Sequence, residues 1–298
     1  MKDGKMTIDS SAKFIREVLK DHYPLREIEG FTKIILGEVT GLNFTGIILN
    51  KDKKLPSSAI AKIQNILESL KKSVPIQYIT GKTEFYGLPF KVKPGVLIPR
   101  PETEELVEWI IRETENKKEL KILDIGTGSG CIAVTLGIKL NKAKIHALDN
   151  SDAALEVAKQ NARLNQTRVN FFKGDILQKT FDVNPGSFDI IVSNPPYVME
   201  SEKDLMEENV LSHEPGSALF VPDKDPLIFY KAIASFALTN LEGKGKIYLE
   251  INEQFGPRVA DLFKQKGFSD VKVRKDINGK DRMVSADLDK TRDAIDKF

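Results

Sequence analysis

The chain has 298 residues, with 45 basic and 43 acidic side chains and a net charge of +2, which favours no dedicated nucleic-acid surface. Its single cysteine excludes an intrachain disulfide, and its three scattered histidines lack the spacing of metal ligands. No apolar run reaches the roughly 18 residues of a membrane span, and the N-terminus lacks an apolar signal core. We therefore expect a cytoplasmic monomer of one or two domains that uses neither a metal nor a membrane.

Residues 1–80 are predicted to form a small helical domain. Apolar residues recur at helical spacing in three segments, the first of which contains Ile15 and Leu19 after a cap at Ser10 or Ser11. Helices this short are stable only when they pack against each other. The domain carries no chemistry of its own, so a stabilising role and a partner-docking role remain equally open.

A β-hairpin linker is predicted over residues 81–100. Apolar and polar residues alternate between positions 84 and 99 around Pro94-Gly95, as expected of two strands joined by a turn. Arg100 stands between two prolines, which hold it in an extended conformation. Its side chain is therefore directed at a partner, and a surface carboxylate is the simplest one.

Residues 101–298 are predicted to form an α/β domain, because strand patterns alternate with helix patterns. The predicted strands cover residues 121–125, 143–148, 168–172, 188–192 and 246–251, with 270–274 and 283–286 as paired edge strands. The predicted helices between and after them cover residues 129–140, 151–164, 226–241 and 257–266. Such alternation builds a mostly parallel sheet with helices on both faces, and ligands bind beyond the C-terminal strand ends. The charged tail from Asp287 is expected to be a solvated end.

A glycine-rich loop, Asp124-Ile125-Gly126-Thr127-Gly128-Ser129-Gly130, joins the first predicted strand to its helix. Glycines permit a positive φ and a close approach of the backbone to a ligand. A dinucleotide site requires G-x-G-x-x-G, and here the third glycine comes one residue too early. Asp149 ends the second strand, where a carboxylate accepts hydrogen bonds from ribose hydroxyls, and Asp175 follows the third. Taken singly, each of these two residues is as readily a helix cap or a turn residue.

With an aspartate at the strand end, this G-x-G-x-G loop resembles motif I of the S-adenosylmethionine-dependent methyltransferases of the Rossmann-like class. The resemblance implies S-adenosylmethionine as the cofactor and S-adenosylhomocysteine as the product. The cofactor-binding residues that it implies are Asp124, Gly126, Thr127, Gly128, Ser129, Gly130, Asp149, Asp175, Ile176 and Asn194. Cys131, which follows the loop, is expected to be a small core residue.

A stiff corner, Ser193-Asn194-Pro195-Pro196-Tyr197, follows the fourth predicted strand. Two prolines fix φ and remove two backbone donors, and the first keeps Asn194 out of the helical region. The corner contains no carboxylate or histidine that could act as a general base. The Asn194 side-chain oxygen and the Pro195 carbonyl are neutral acceptors that suit a planar –NH2 group, against which Tyr197 can pack. The corner therefore limits the methyl acceptor to amides and nucleobase amines.

Nearly the whole chain resembles the peptide chain release factor N5-glutamine methyltransferases (the HemK/PrmC family). The resemblance rests on residues 75–81, 84–90 and 97–104, the glycine loop, Asn194-Pro195-Pro196-Tyr197, Glu214-Pro215 and Asp281-Arg282. It implies a helical N-terminal domain joined by a hairpin to a Rossmann-like catalytic domain, with release factors as the protein substrate. It also implies that Asn194, Pro195, Pro196 and Tyr197 are catalytic and contact the substrate. Ile176 stands where some members carry tryptophan.

Two other functions remain possible on sequence grounds. Adenine-N6 methyltransferases of DNA or RNA share the Asn-Pro-Pro-Tyr motif, but they need a basic surface that accommodates a flipped base. The N-terminal region mixes charges of both signs, so we expect no direct contact with nucleic acid. The proline-rich segment around Arg100, which we expect to contribute to substrate binding, is more specific to the glutamine family. A non-catalytic binding protein with the same fold would have no need of both the glycine loop and the corner.

Overall fold

The computed structural model describes residues 6–114, 119–181 and 186–289. These residues divide into two compact units. The first unit takes in the described chain up to Gly81 together with Glu208–His213, and the second takes in the other described residues from Lys82 onward. The segment Glu208–His213, which was predicted to lie in the C-terminal domain, groups with the first unit, and the predicted hairpin linker does not form a unit of its own. Most of the predicted charged tail, from residue 290 on, lies outside the described residues.

The first unit is helical. Its helices are α1 (Ile8–Leu19), α2 (Leu25–Thr40), α3 (Phe44–Leu49), α4 (Ser57–Leu70), α5 (Ile76–Thr80) and α9 (Glu208–His213). The predicted caps of α1 are wrong, because the helix begins earlier than expected. Thr7 is the cap and accepts a hydrogen bond from the Ser10 backbone N–H, while the Ser10 hydroxyl accepts one from the Thr7 N–H. Ser10 is therefore the third residue of a capping box, and Ser11 is buried in the unit.

A short hairpin begins the second unit. Strands β1 (Lys82–Phe85) and β2 (Leu88–Lys91) pair antiparallel. The two residues between them, Tyr86 and Gly87, both have positive φ, at 53° and 72°, as in a two-residue type I′ turn. Pro94 and Gly95 do form a turn, which the Val96 N–H closes by donating to the Lys93 carbonyl oxygen at 3.2 Å, but it joins no strands, so the predicted position of the hairpin is wrong. The apolar–polar alternation continues beyond β2 because Val96 and other apolar residues after the hairpin are buried in irregular chain.

A single large sheet forms the centre of the second unit. Its strands are β3 (Lys121–Ile125), β4 (Lys144–Asp149), β5 (Val169–Asp175), β6 (Thr180–Phe181), β7 (Phe188–Ser193), β10 (Leu241–Glu250), β11 (Ser269–Lys275) and β12 (Asp281–Asp287). They lie in the order β11-β12-β10-β7-β3-β4-β5-β6. The five central strands, from β10 to β5, are parallel, and β12 pairs antiparallel with both β10 and β11. The strand order reverses at β3, which has β4 on one side and β7 on the other.

Helices cover both faces of the sheet. They are α6 (Pro101–Thr114), α7 (Cys131–Lys139), α8 (Asp152–Leu164), α11 (Ile228–Asn240) and α12 (Gly256–Gln265), and a four-residue helix, α10 (Gly216–Leu219), lies in the connection before α11. Successive residues of a strand point to opposite faces, so Ile122 belongs to the core that includes α6 and α7, and Leu123 to the core that includes α11 and α12. A short parallel pair, β8 (Val198–Met199) and β9 (Phe220–Val221), lies outside the main sheet. None of the described helices has the length and apolar character needed to cross a membrane.

Candidate active site

A cavity lies at the C-terminal ends of β3, β4, β5 and β7. This is where the strand order reverses, and open α/β sheets bind their ligands there. The predicted site residues that line the cavity are Arg100, Gly126, Thr127, Gly128, Ser129, Asp149, Asp175, Ile176, Asn194, Pro195 and Pro196. Three further predicted residues, Asp124, Gly130 and Tyr197, are described by the structure but are not among the lining residues. The fold therefore brings most of the predicted residues to the cavity, and it places Asp124, Gly130 and Tyr197 outside the set that lines it.

The glycine loop is held against β4 by its backbone. The N–H groups of Gly126 and Thr127 both donate to the carbonyl oxygen of Leu148, at 2.8 and 3.0 Å. Gly126 and Gly128 have φ of 72° and 55°, in the left-handed region that a Cβ disfavours. A Cβ added at either position would meet no heavy atom within 4 Å. These two glycines are therefore required by the backbone conformation, and they leave space on the cavity side of the loop.

Gly130 has a packing role. Its φ is 83°, and an added Cβ would lie 3.0 Å from the Ala158 Cβ and 3.2 Å from the Ala158 Cα. We expect Gly130→Ala to lower the free energy of unfolding by about 1–3 kcal/mol, because it combines a strained φ with a contact against α8. Thermal unfolding measures this loss. Gly279→Ala is the control, since Gly279 has a φ of 80° and no atom within 4 Å of an added Cβ. Equal losses in both variants would contradict a role for the Ala158 contact.

Asp124 supports the glycine loop from the protein interior. Its side chain is fully buried, and Oδ2 accepts a hydrogen bond of 2.6 Å from the Thr127 hydroxyl. Burial raises the pKa of Asp124 to about 7. Because the carboxyl group faces the protein interior, it positions the loop and does not form part of the cavity wall.

Asp149 presents a carboxylate to the cavity. Its Oδ2 accepts from the Gly128 N–H at 2.8 Å, and its Oδ1 accepts from the Ser151 N–H at 2.9 Å. Burial raises the pKa of Asp149, and these two N–H groups oppose the rise. A carboxylate held in this way can accept hydrogen bonds from ribose hydroxyls, but it repels phosphate groups. This part of the wall therefore offers an acceptor suited to a ribose.

The far end of the cavity is largely apolar. Ile176, buried after β5, lines it together with Phe229 and Ile233 of α11. Asp175 also lines the cavity, and its Oδ1 accepts from the N–H groups two and three residues further on, at 2.8 and 3.2 Å. It thus closes a turn that places Ile176. An apolar wall with one aromatic ring suits the faces of a planar base.

The corner after β7 reaches the opposite part of the cavity. Ser193 anchors it, because its hydroxyl donates to the carbonyl oxygen of Ile125 on β3 at 2.7 Å. The side-chain nitrogen of Asn194 donates to the Thr103 hydroxyl oxygen at 3.1 Å. Pro195 and Pro196 continue the cavity wall. With its nitrogen engaged by Thr103, Asn194 retains its side-chain oxygen as an acceptor.

Tyr197 is fixed by hydrogen bonds to residues at and just after the end of β10. Its hydroxyl donates to Oε1 of Glu250 at 2.9 Å, and its backbone carbonyl accepts from the Asn252 side chain at 3.2 Å. A partly buried tyrosine needs a partner for its hydroxyl, and the buried carboxylate of Glu250 is that partner. Burial also raises the pKa of Tyr197 well above its ordinary value. Tyr197 therefore anchors the corner through its hydroxyl, and the packing of its ring against the methyl acceptor stays a prediction.

Arg100 pairs with a buried carboxylate, where a surface one was expected. One of its terminal nitrogens lies 2.5 Å from Oε1 of Glu214, whose Oε2 accepts from the Ile98 N–H at 3.2 Å. The Glu214 side chain is 1% exposed, whereas that of Arg100 is 32% exposed and lines the cavity. This pair fastens the segment before α6 to the segment before α10.

No general base adjoins the corner among the described lining residues. The carboxylates in the lining, Asp149 and Asp175, lie at the ends of β4 and β5, two and three strands from β7, or about 10 and 14 Å at ordinary strand spacing. Burial raises the pKa of Cys131, which also lines the cavity, to about 12, so it stays a neutral thiol. No cluster of three potential metal ligands occurs in the described part of the chain.

Three residues that support the site were not predicted. Asn161 is fully buried in α8, where its side chain accepts from the Lys91 N–H at 2.7 Å and donates to the carbonyl oxygens of Lys91 and Ser129, both at 2.9 Å. Thr103 and Glu250 are the other two, and they hold Asn194 and Tyr197 as described above. A sequence signal exists for Asn161 and Glu250, since each is a polar residue within an otherwise apolar strand or helix face.

Two family models match separate parts of the chain. The family model of the PrmC N-terminal domain matches residues 13–81, and that of the methyltransferase small domain matches residues 102–217. The chain is 46% identical over 275 residues to the release factor glutamine methyltransferase of Flavobacterium psychrophilum, covering 91% of this chain and 96% of the relative. Identity to the enzyme of Bacteroides thetaiotaomicron is 45% over 273 residues, covering 92% and 97%. A solved methyltransferase from Pyrococcus furiosus has a TM-score of 0.51 and 19% identity, covering 78% of this chain and all of that one (100%).

The sheet order, the cavity at its point of reversal and the glycine loop define a Rossmann-like methyltransferase, which confirms the predicted fold class. The Pyrococcus structure supports this fold and nothing finer. The chain belongs to the release factor glutamine methyltransferase family, because its two relatives exceed 40% identity over nine tenths of its length. The resemblance found in the sequence is therefore confirmed.

Proposed function

We propose that this chain transfers a methyl group from S-adenosylmethionine to the side-chain amide nitrogen (N5) of the glutamine in the Gly-Gly-Gln motif of release factors. Family membership supports this reaction. The observation that carries the proposal is the orientation of the Asn194 side-chain amide. Asn194 lines the cavity, and its side-chain nitrogen is engaged by Thr103. Its free oxygen suits an amide –NH2 group, and the described cavity wall offers no base beside it.

The residues that would hold the cofactor follow from the two ends of the cavity. Asp149 would accept hydrogen bonds from the ribose hydroxyls, and Ile176 with Phe229 would enclose the adenine. The backbone of the glycine loop, from Gly126 to Ser129, would border the amino-acid moiety. When bound, S-adenosylmethionine supplies an electrophilic methyl group carried on a positively charged sulfur.

The corner would orient the glutamine amide. The Asn194 side-chain oxygen and the Pro195 carbonyl would accept its two N–H hydrogens, while Pro196 forms part of the wall. Two fixed acceptors aim the nitrogen at the methyl group and stabilise the positive charge that develops on it. The proton that the nitrogen then carries is acidic enough to leave to water, so no general base is needed. Arg100 would bind the substrate backbone beside the corner while it stays paired with Glu214.

Methyl transfer with labelled S-adenosylmethionine tests the proposal. The protein is incubated with a release factor, with the same factor carrying glutamate in place of the Gly-Gly-Gln glutamine, and with bulk DNA or RNA. We expect label only on the unaltered factor, since we expect no direct contact with nucleic acid. We also expect the enzyme to act as a cytoplasmic monomer. Label confined to nucleic acid would overturn the proposal in favour of an adenine-N6 methyltransferase. Label on the altered factor would exclude the glutamine as the acceptor.

A further inference from the structure

A buried carboxylate lies behind the corner and holds hydroxyls from two elements. Glu250, at the end of β10, is 1% exposed. Its Oε2 accepts a 2.6 Å hydrogen bond from the Thr103 hydroxyl of α6, and its Oε1 accepts a 2.9 Å bond from the Tyr197 hydroxyl. Both oxygens are thus engaged by donors that belong to, or contact, the corner.

The carboxylate determines the direction of the next hydrogen bond. An ionised carboxylate only accepts, and a threonine hydroxyl has one hydrogen to donate. Because Thr103 donates that hydrogen to Glu250, its oxygen can only accept from Asn194, which lies 3.1 Å away. Asn194 must therefore present its NH2 group to Thr103. The two ends of an amide have nearly the same shape, so hydrogen bonding and not packing distinguishes the two orientations.

The chain of bonds requires an ionised Glu250, and the groups around its carboxylate act in both directions. Burial raises the pKa of Glu250, and Glu102 adds to the rise. The hydroxyls of Thr103 and Tyr197 and the positive charge of Arg282 oppose it. Arg282 lies in β12, next to β10 in the sheet, and is held by Asp276 at 3.2 Å.

We propose that Thr103 and Glu250 are positioning residues that orient the Asn194 amide, so that its oxygen and not its nitrogen faces the methyl acceptor. This inference rests on the proposed function, since it concerns how the substrate –NH2 group is held. With the Asn194 amide reversed, its NH2 group would oppose the substrate NH2 group, and one of the two acceptors would be lost. Thr103 also lines the cavity, but its hydroxyl is engaged on both sides, and Glu250 is buried behind the corner, so neither residue has a free polar group to offer the substrate.

The test compares variants that differ in one hydroxyl. Thr103→Val removes the hydroxyl and keeps the branched shape, whereas Thr103→Ser keeps the hydroxyl. We expect Thr103→Val to lower kcat by about 10²-fold, the scale of losing one oriented polar contact to the reacting group. The KM for the release factor and the affinity for S-adenosylhomocysteine, measured by calorimetry, should stay within about 2-fold of the wild-type values. Thr103→Ser should retain most of the turnover.

Thr114→Val is the matched control within the same helix. The Thr114 hydroxyl is also buried and donates to the Ile110 carbonyl oxygen at 2.6 Å. This control should lower Tm as Thr103→Val does and leave kcat unchanged. The proposal is overturned if Thr103→Val has the wild-type kcat, if Thr103→Ser loses as much as Thr103→Val, or if Thr114→Val matches the kcat loss.

A double-mutant cycle gives an independent measure. Glu250→Gln should also lower kcat, because a glutamine can donate to Thr103 and so permit the reversed Asn194 amide. Since both residues act through the same chain of bonds, the double variant should be no slower than the slower single variant. Fully additive losses would contradict the proposal. Failure of the wild-type enzyme to label any release factor would instead count against the proposed function, before any variant is compared.

Discussion

Asn194→Ala is expected to lower methyl transfer to the release factor by about 10²–10³-fold while the protein still binds S-adenosylhomocysteine. The substitution removes the one side-chain acceptor that the corner directs at the cavity, and it leaves the two prolines and the backbone in place. The Thr103 hydroxyl, which accepts from Asn194 at 3.1 Å, would lose that partner. Single-turnover transfer of labelled methyl groups measures the rate, and calorimetry measures the affinity.

A second asparagine provides the control for this substitution. Asn165, just after α8, donates from its side chain to the Pro89 carbonyl oxygen at 2.8 Å and is not among the lining residues. Asn165→Ala should leave turnover unchanged and lower the thermal stability slightly. Wild-type turnover in Asn194→Ala would exclude the proposed orienting role. A loss of S-adenosylhomocysteine affinity would assign Asn194 to the cofactor half of the cavity.

Asp149→Ala is expected to weaken S-adenosylhomocysteine binding by about 10- to 100-fold, as follows from about 1.5–3 kcal/mol for hydrogen bonds to a charged group. The carboxylate is the acceptor that β4 places at the cavity wall. It also orders the wall by accepting from the N–H groups of Gly128 and Ser151. Calorimetric titration with S-adenosylhomocysteine measures the effect.

Asp152→Ala is the matched control, since it removes an aspartate only three positions further along the chain. The Asp152 side chain is 78% exposed and pairs with Lys173 at 2.5 Å. Exposed ion pairs contribute little, so both the affinity and the stability should stay near the wild-type values. Unchanged affinity in Asp149→Ala would remove this residue from the ribose site, and equal losses in both variants would point to a general effect of charge.

Local patterns predicted the framework of the site. Alternating strand and helix patterns predicted the parallel strands, and the glycine loop predicted where the chain leaves β3. The two prolines after Asn194 predicted a stiff corner from covalent geometry alone. Where a local pattern gave a wrong prediction, packing against other parts of the fold was the reason. Val96 is buried without belonging to a strand, so the hairpin was extended too far, and Tyr86 adopts the positive φ of the true turn.

The sequence alone thus determined the fold class and predicted the edge of the sheet at which the cavity lies, because the strand and helix alternation, the glycine loop and the two prolines are each local patterns. Only the tertiary structure decided which partners support them. Thr103 is 91 residues from Asn194 and 147 from Glu250, and Arg100 is 114 residues from Glu214. No local pattern specifies such pairs, since they exist only once β10 lies beside β7 and α6 packs over both. The same packing pairs the Tyr197 hydroxyl with Glu250, because a hydroxyl removed from water needs an acceptor within the protein.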